Sequence, residues 1–140
     1  GTDRLEQERR MNFQGKNQHY VELFDELDDP DSQAEYLMLR GMKKPDDTEI
    51  RNDTYRIPGC KTAIWLKMST DPGRVHCRMD SDSLLVKGVL SILEELYEGA
   101  PPQMAAENPP AFLQRISDYV MYPEIKTNGL LKCYRKLAHF

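Results

Sequence analysis

The chain has 140 residues, with 19 Lys and Arg against 23 Asp and Glu, for a formal net charge of −4. That length fits one domain able to bury about two-thirds of its unfolded surface without a disulfide or metal staple. The acidic balance argues against a non-specific nucleic-acid binder, which needs a basic stripe. No apolar run approaches the roughly 20 residues of a membrane span. Three cysteines without a CxxC pair fit neither a disulfide framework nor a zinc knuckle. They point to free thiols in a reducing cytoplasm.

Residues 1–17 are polar and mixed in sign, without an apolar signal-peptide core, and read as a flexible leader. Tyr20, Leu23, Phe24 and Leu27 recur at helical spacing and predict a first helix. Pro30, with Asp29 as its cap, opens a second helix whose apolar face is Ala34, Leu37 and Met38 and whose left-handed closing residue is Gly41. A charged connection follows, and Tyr55-Arg56-Ile57 is a short extended piece. Thr62, Ile64, Leu66 and Met68 alternate with polar or aromatic neighbours, and Val75, Cys77 and Met79 do the same beyond an Asp71-Pro72-Gly73 turn. Period two with turn chemistry between predicts an antiparallel hairpin.

Asp80-Ser81-Asp82-Ser83 supplies capping residues for a helix with Leu85, Val89, Ile92, Leu93 and Leu96 on its face. Gly88 within it implies close backbone packing, because an interior helical glycine costs about 1 kcal/mol relative to Ala. Asn108-Pro109 predicts another helix with Leu113, Ile116 and Val120, and a last one starts near Thr127 or Asn128. Strands cluster mid-chain and do not alternate with helices. The expected class is therefore α+β: a small antiparallel sheet of about three strands with helices packed on one face, in a single domain over residues 18–140.

Three thiols are candidates for chemistry. Cys60 follows Pro58-Gly59 on a tight turn, with Arg56 and Lys61 as nearby cations; turn exposure and positive charge favour a thiolate, although free cysteines are more often buried and inert. Cys77 alternates inward with Val75 and Met79, and Cys133 lies within the last helix, so both read as packing residues. A metal or iron–sulfur site on Cys60, Cys77 and Cys133 stays open as an alternative, though no pair has recognised ligand spacing. His19, His76 and His139 are scattered.

At Cys60 the sequence acquires a family likeness. Arg56-Ile57-Pro58-Gly59-Cys60-Lys61-Thr62-Ala63-Ile64-Trp65-Leu66 resembles the cysteine loop of the SufE family, sulfur acceptors of iron–sulfur cluster assembly. Asp80-Ser81-Asp82-Ser83 running into Val86-Lys87-Gly88, Asn128-Gly129-Leu130 in the last helix, and Tyr36-Leu37-Met38 with Gly41 resemble three further family segments, in the family's order. The likeness covers about His19 to Phe140.

The resemblance implies a SufE/IscU-like fold and a sulfur relay. Cys60 would be the thiol that takes sulfane sulfur, as a persulfide, from a SufS-like cysteine desulfurase and passes it to a downstream cluster-assembly scaffold. Gly59, Thr62, Trp65, Asp80, Asp82, Lys126, Asn128 and Gly129 would support the loop or the partner contact. No bound cofactor is implied: pyridoxal phosphate belongs to the desulfurase, and neither nucleic acid nor membrane is an expected partner. Thr62 stands where the family has Ser and keeps the hydroxyl, whereas Ala63 loses a polar side chain. Lys126 stands where Arg is common and lacks its bidentate fork. A thiol-independent module that stimulates a desulfurase allosterically is the remaining alternative.

Overall fold

The computed structural model describes residues 2–139. Helix α1 runs Thr2–Glu26 and α2 runs Pro30–Lys43. A 3-10 turn at Thr48–Ile50 leads to strands β1, Ile64–Asp71, and β2, Arg74–Ser81. Then come α3, Leu84–Tyr97, α4, Pro102–Glu107, and a 3-10 turn at Ala111–Arg115. The chain ends in α5, Pro123–Ile125, a π-turn over Lys126–Leu130, and α6, Leu131–Ala138. Among the described residues no helix is long and apolar enough to cross a membrane.

The expected α+β class holds, with two strands in place of about three. Strands β1 and β2 pair antiparallel in the register Ile64↔Ser81 through Asp71↔Arg74. The extended piece before them contributes only one bridge, Arg56↔Trp65. Its two backbone bonds, Ile57 N–H to Ile64 C=O and Leu66 N–H to Tyr55 C=O, both 2.8 Å, close a loop and do not extend a ladder. On the other edge, helix α3 stands in for a strand. Glu94 accepts from the Met79 N–H at 2.9 Å and Glu98 from the Cys77 N–H at 2.7 Å. An edge strand left open would be a template for another chain, and here two carboxylates occupy it.

Helix α3 is the centre of the core, with Val89, Leu90, Ile92, Leu93 and Tyr97 fully buried. Ser83 caps its start by accepting from the Val86 N–H, and Asp29 caps α2 from the Ser32 N–H. Helices α2 and α3 touch backbone to backbone. A Cβ on Gly88 would sit 2.1 Å from the Leu37 carbonyl oxygen, and one on Gly41 would sit 2.2 Å from that of Leu84. Gly41 is therefore there for clearance, not as the left-handed closing residue, and α2 continues past it to Lys43. Gly88→Ala is expected to lower stability by about 2 kcal/mol in urea unfolding, because overpacking outweighs the better helix propensity of Ala.

Two expectations are corrected by tertiary contacts. Residues 2–17 are not a flexible leader but the first part of α1. Phe13 is buried with its ring 5.3 Å from that of Tyr97, and Arg10 and Asn17 reach Glu107 and the Pro109 carbonyl. Phe13, Tyr20 and Phe24 form one stripe at helical spacing, which gives this half of the helix a core to bind. The helix expected after Asn108-Pro109 shrinks to the turn Ala111–Arg115. Its backbone finds distant partners instead: Gln33 bonds the Arg115 carbonyl and the Ser117 N–H, and Lys126 Nζ bonds the Ile116 carbonyl.

Candidate functional site

The loop carrying Cys60 is an excursion between Ile57 and Ile64, whose backbone groups bond across its base. Both ends are anchored, since Ile57 and Ile64 are fully buried. Gly59 has φ +82°, a left-handed conformation that a residue with a Cβ enters at a cost of about 1–2 kcal/mol. It turns the chain so that Gly59 stays exposed while Cys60 points inward, only 7% exposed.

What Cys60 meets inside is the π-turn. A Cβ on Gly129 would lie 3.1 Å from Cys60 Sγ and 2.7 Å from Ile64 Cδ1, so glycine lets the helix backbone itself roof the thiol. The Lys126–Leu130 segment is continuous with α5 and α6, with helical dihedrals on both flanks. π-turns are rare and concentrate at functional sites. Cys133, four residues beyond Gly129 on the same face, is fully buried. Its thiol is pushed up to about 12, chiefly by burial and in part by neighbouring Cys60, with Lys136 opposing. Cys77 is raised as well, by burial and by the Glu98 and Glu94 carboxylates. Both shifts disfavour the thiolate, the form that acts as a nucleophile.

Lys132 closes the loop from outside. Its Nζ donates to the Pro58 carbonyl at 3.0 Å and lies 2.7 Å from where a Gly59 side chain would begin. Nothing in the motifs marks this residue; it becomes visible only when α6 is laid against the loop. Lys132→Ala is expected to speed alkylation of Cys60 by iodoacetamide about five-fold, the effect of losing a half-exposed charged hydrogen bond worth about 1 kcal/mol. Lys132→Arg, which can still donate to the carbonyl, should stay closer to the parent rate.

A second cluster fixes the loop's exit. Asp80 is fully buried and accepts from the Asp47 N–H and Arg51 Nε at 2.8 Å and from the Ser81 N–H at 2.9 Å. Burial alone would raise its pKa, but these donors outweigh it and hold the carboxyl below its usual range. Lys87, also buried, pairs with Asp46 beside it. Ser81 Oγ donates to the Ala63 carbonyl at 2.6 Å, tying the end of the Cys60 loop to the end of β2. Trp65, half-buried, lies under the Arg51 guanidinium at 5.2 Å.

The expected site residues therefore fall into groups. Cys60, Gly59 and Gly129 meet at the thiol, and Asp80 and Trp65 meet at Arg51. Thr62 and Asn128 are half-buried on the loop and the π-turn, and Asp82 is exposed. Lys126 turns away to brace the Ile116 carbonyl and Asp118, at 2.7 and 2.8 Å. Among the described residues no three His, Cys, Asp or Glu side chains converge to hold a metal ion, which leaves the three-cysteine scaffold without geometric support.

A family model described as SufE, the Fe-S metabolism associated domain, matches residues 18–139. The chain is 29% identical over 118 residues to the SufE-like protein 1 of Arabidopsis thaliana, covering 83% of this chain and 32% of that protein. It is 26% identical to an uncharacterised SufE-like protein of Synechocystis, covering 84% of this chain and 74% of that one. The chain thus spans about a third of the Arabidopsis protein and most of the cyanobacterial one. A solution structure of a hypothetical protein from Thermus thermophilus shares the fold, with a TM-score of 0.65 at 21% identity over 88% of this chain and 90% of that one. With the family model spanning nearly the whole chain, the chain belongs to the SufE family.

Proposed function

We propose that the chain is a sulfur carrier of iron–sulfur metabolism, accepting sulfane sulfur on Cys60 from a pyridoxal-phosphate cysteine desulfurase and passing it on to cluster assembly. The observation that carries this reading is the Cys60 loop. It seats Cys60, itself a buried thiol, under the Gly129 backbone and one residue beyond the left-handed Gly59, while burial and, at Cys77, two carboxylates disfavour the thiolate of the other two cysteines. In the transfer step the Cys60 thiolate attacks the outer sulfur of a donor persulfide. The donor's sulfur–sulfur bond breaks, its cysteine leaves as a thiolate, and a persulfide forms on Cys60. Such a step needs an exposed nucleophile at the moment of contact and cover afterwards, because a persulfide left in solvent is open to oxidation. Swinging about Gly59 provides the exposure, and the seat under Gly129 provides the cover.

The test is direct. The chain is incubated with a purified cysteine desulfurase and cysteine, alkylated, digested and read by mass spectrometry. One added sulfur on the Cys60 peptide is the expected result. A persulfide found only on Cys77 or Cys133, or none on any cysteine, refutes it.

A further inference from the structure

The ion pairs of this chain are unevenly placed. Asp46, Asp47, Glu49 and Asp80 neutralise Arg51, Arg78 and Lys87 at one end of the sheet, and Glu94 and Glu95 hold Lys44 and Arg40. Around the Cys60 loop the pattern inverts. Arg56, Lys61, Lys67, Lys132, Arg135 and Lys136 belong to the loop, β1 and α6, and among the described residues none is paired with a carboxylate. Their contacts are to uncharged groups: Lys132 to the Pro58 carbonyl and Lys67 to the Tyr55 ring at 5.5 Å. Arg56, Lys61, Arg135 and Lys136 are exposed. Arg135, Lys136 and His139 also line an open groove, together with Tyr55, Leu66 and Met68.

The structure assigns this basic face, the groove between β1 and α6 beside the Cys60 loop, as the docking surface for an acidic protein surface on the sulfur donor. This deepens the sulfur-carrier reading and rests on it. Charge complementarity is the argument. The chain carries −4 overall, and cations without a carboxylate partner are concentrated on the Cys60 loop, β1 and α6, so this face favours an acidic partner that the net charge disfavours. Such an arrangement orients encounter, raising the association rate and fixing which face arrives first. Arg135 and Lys136 line the groove with the apolar Leu66 and Met68, while Arg56, Lys61 and Lys132 lie outside its lining. That shape fits an extended acidic segment with an apolar side chain better than a small anion.

The experiment follows transfer from a persulfide-loaded cysteine desulfurase to Cys60, between about 50 mM and about 300 mM salt, a range over which screening shortens markedly. Arg135→Glu with Lys136→Glu is expected to slow transfer about ten-fold at low salt, with the gap closing at high salt. Poly-L-glutamate should inhibit the parent chain and spare the double variant. Equal iodoacetamide rates at Cys60 in both chains show that the loop and fold are intact, and a milder pair, Arg135→Gln with Lys136→Gln, should fall between. Transfer that is indifferent to salt and to charge reversal overturns the docking face while leaving sulfur transfer standing. Transfer absent from the parent chain at every salt concentration refutes the carrier reading itself. Binding of a labelled oligonucleotide that the double variant loses, with transfer unchanged, makes the face a nucleic-acid site and also overturns the proposal.

Discussion

Cys60→Ser is expected to reduce sulfur acceptance to background, a loss of at least about 100-fold, because a hydroxyl cannot attack sulfane sulfur to form the sulfur–sulfur bond on which the relay depends. Cys77→Ser and Cys133→Ser should retain acceptance within about two-fold, since the surroundings of both thiols disfavour the thiolate. Cys133→Ser has its own expected cost: a hydroxyl in a fully buried site loses about 1–3 kcal/mol if it finds no partner. Running all three variants in the mass-spectrometric assay, with an unfolding curve for each, separates chemistry from folding. Desulfurase stimulation that persists in Cys60→Ala would favour the allosteric, thiol-independent module instead. Iron-dependent visible absorbance that disappears in all three serine variants after anaerobic reconstitution would favour the scaffold.

The parts of the molecule legible in the sequence are those fixed by neighbours in the chain. The hairpin could be read from period two because Ile64, Leu66, Val75, Cys77 and Met79 line one buried face. The caps Asp29 and Ser83 bond N–H groups three residues on, a local arrangement. Gly88 announced close packing, but not that Leu37 was the partner. What escaped depends on contacts across the chain. Phe13 is a lone aromatic in a polar stretch, and only its packing on Tyr97 of α3 anchors that part of α1. The segment after Pro110 has the composition of a helix, yet Gln33 and Lys126 draw its backbone groups outward. At the site, Cys60 was marked by its loop motif, whereas Lys132 grips a carbonyl 74 residues away. Asp80 was named from the motif; its partner Arg51 sits in a charged connection that reads as solvated chain.

That buried carboxylate carries the largest expected effect on stability. Asp80 is fully buried, bonds Arg51 Nε and satisfies two backbone N–H groups, so Asp80→Ala strips Arg51 of its buried carboxylate, leaving it Asp46 and the Ser81 carbonyl, and leaves two amides short of a partner. Breaking such an arrangement from one side costs about 3 kcal/mol, which for a domain of this size lowers Tm by roughly 10 °C. Because the folded-state pKa of Asp80 is depressed, its contribution is fully present above the unfolded carboxylate value and is lost as pH falls through the folded one. The stability gap between the parent chain and Asp80→Asn should therefore be constant from neutral pH down to about 5 and close below about pH 4. Urea unfolding at three pH values reads this, and a gap that stays the same in acid would assign the effect to packing instead of charge. The same variant bears on the thiol. Asp80 sets the Ser81 N–H, Ser81 Oγ holds the Ala63 carbonyl, and Ala63 is the last residue of the Cys60 loop before β1. Loosening the carboxylate should therefore loosen the cover over Cys60, so that Asp80→Asn alkylates faster under conditions where it is still fully folded.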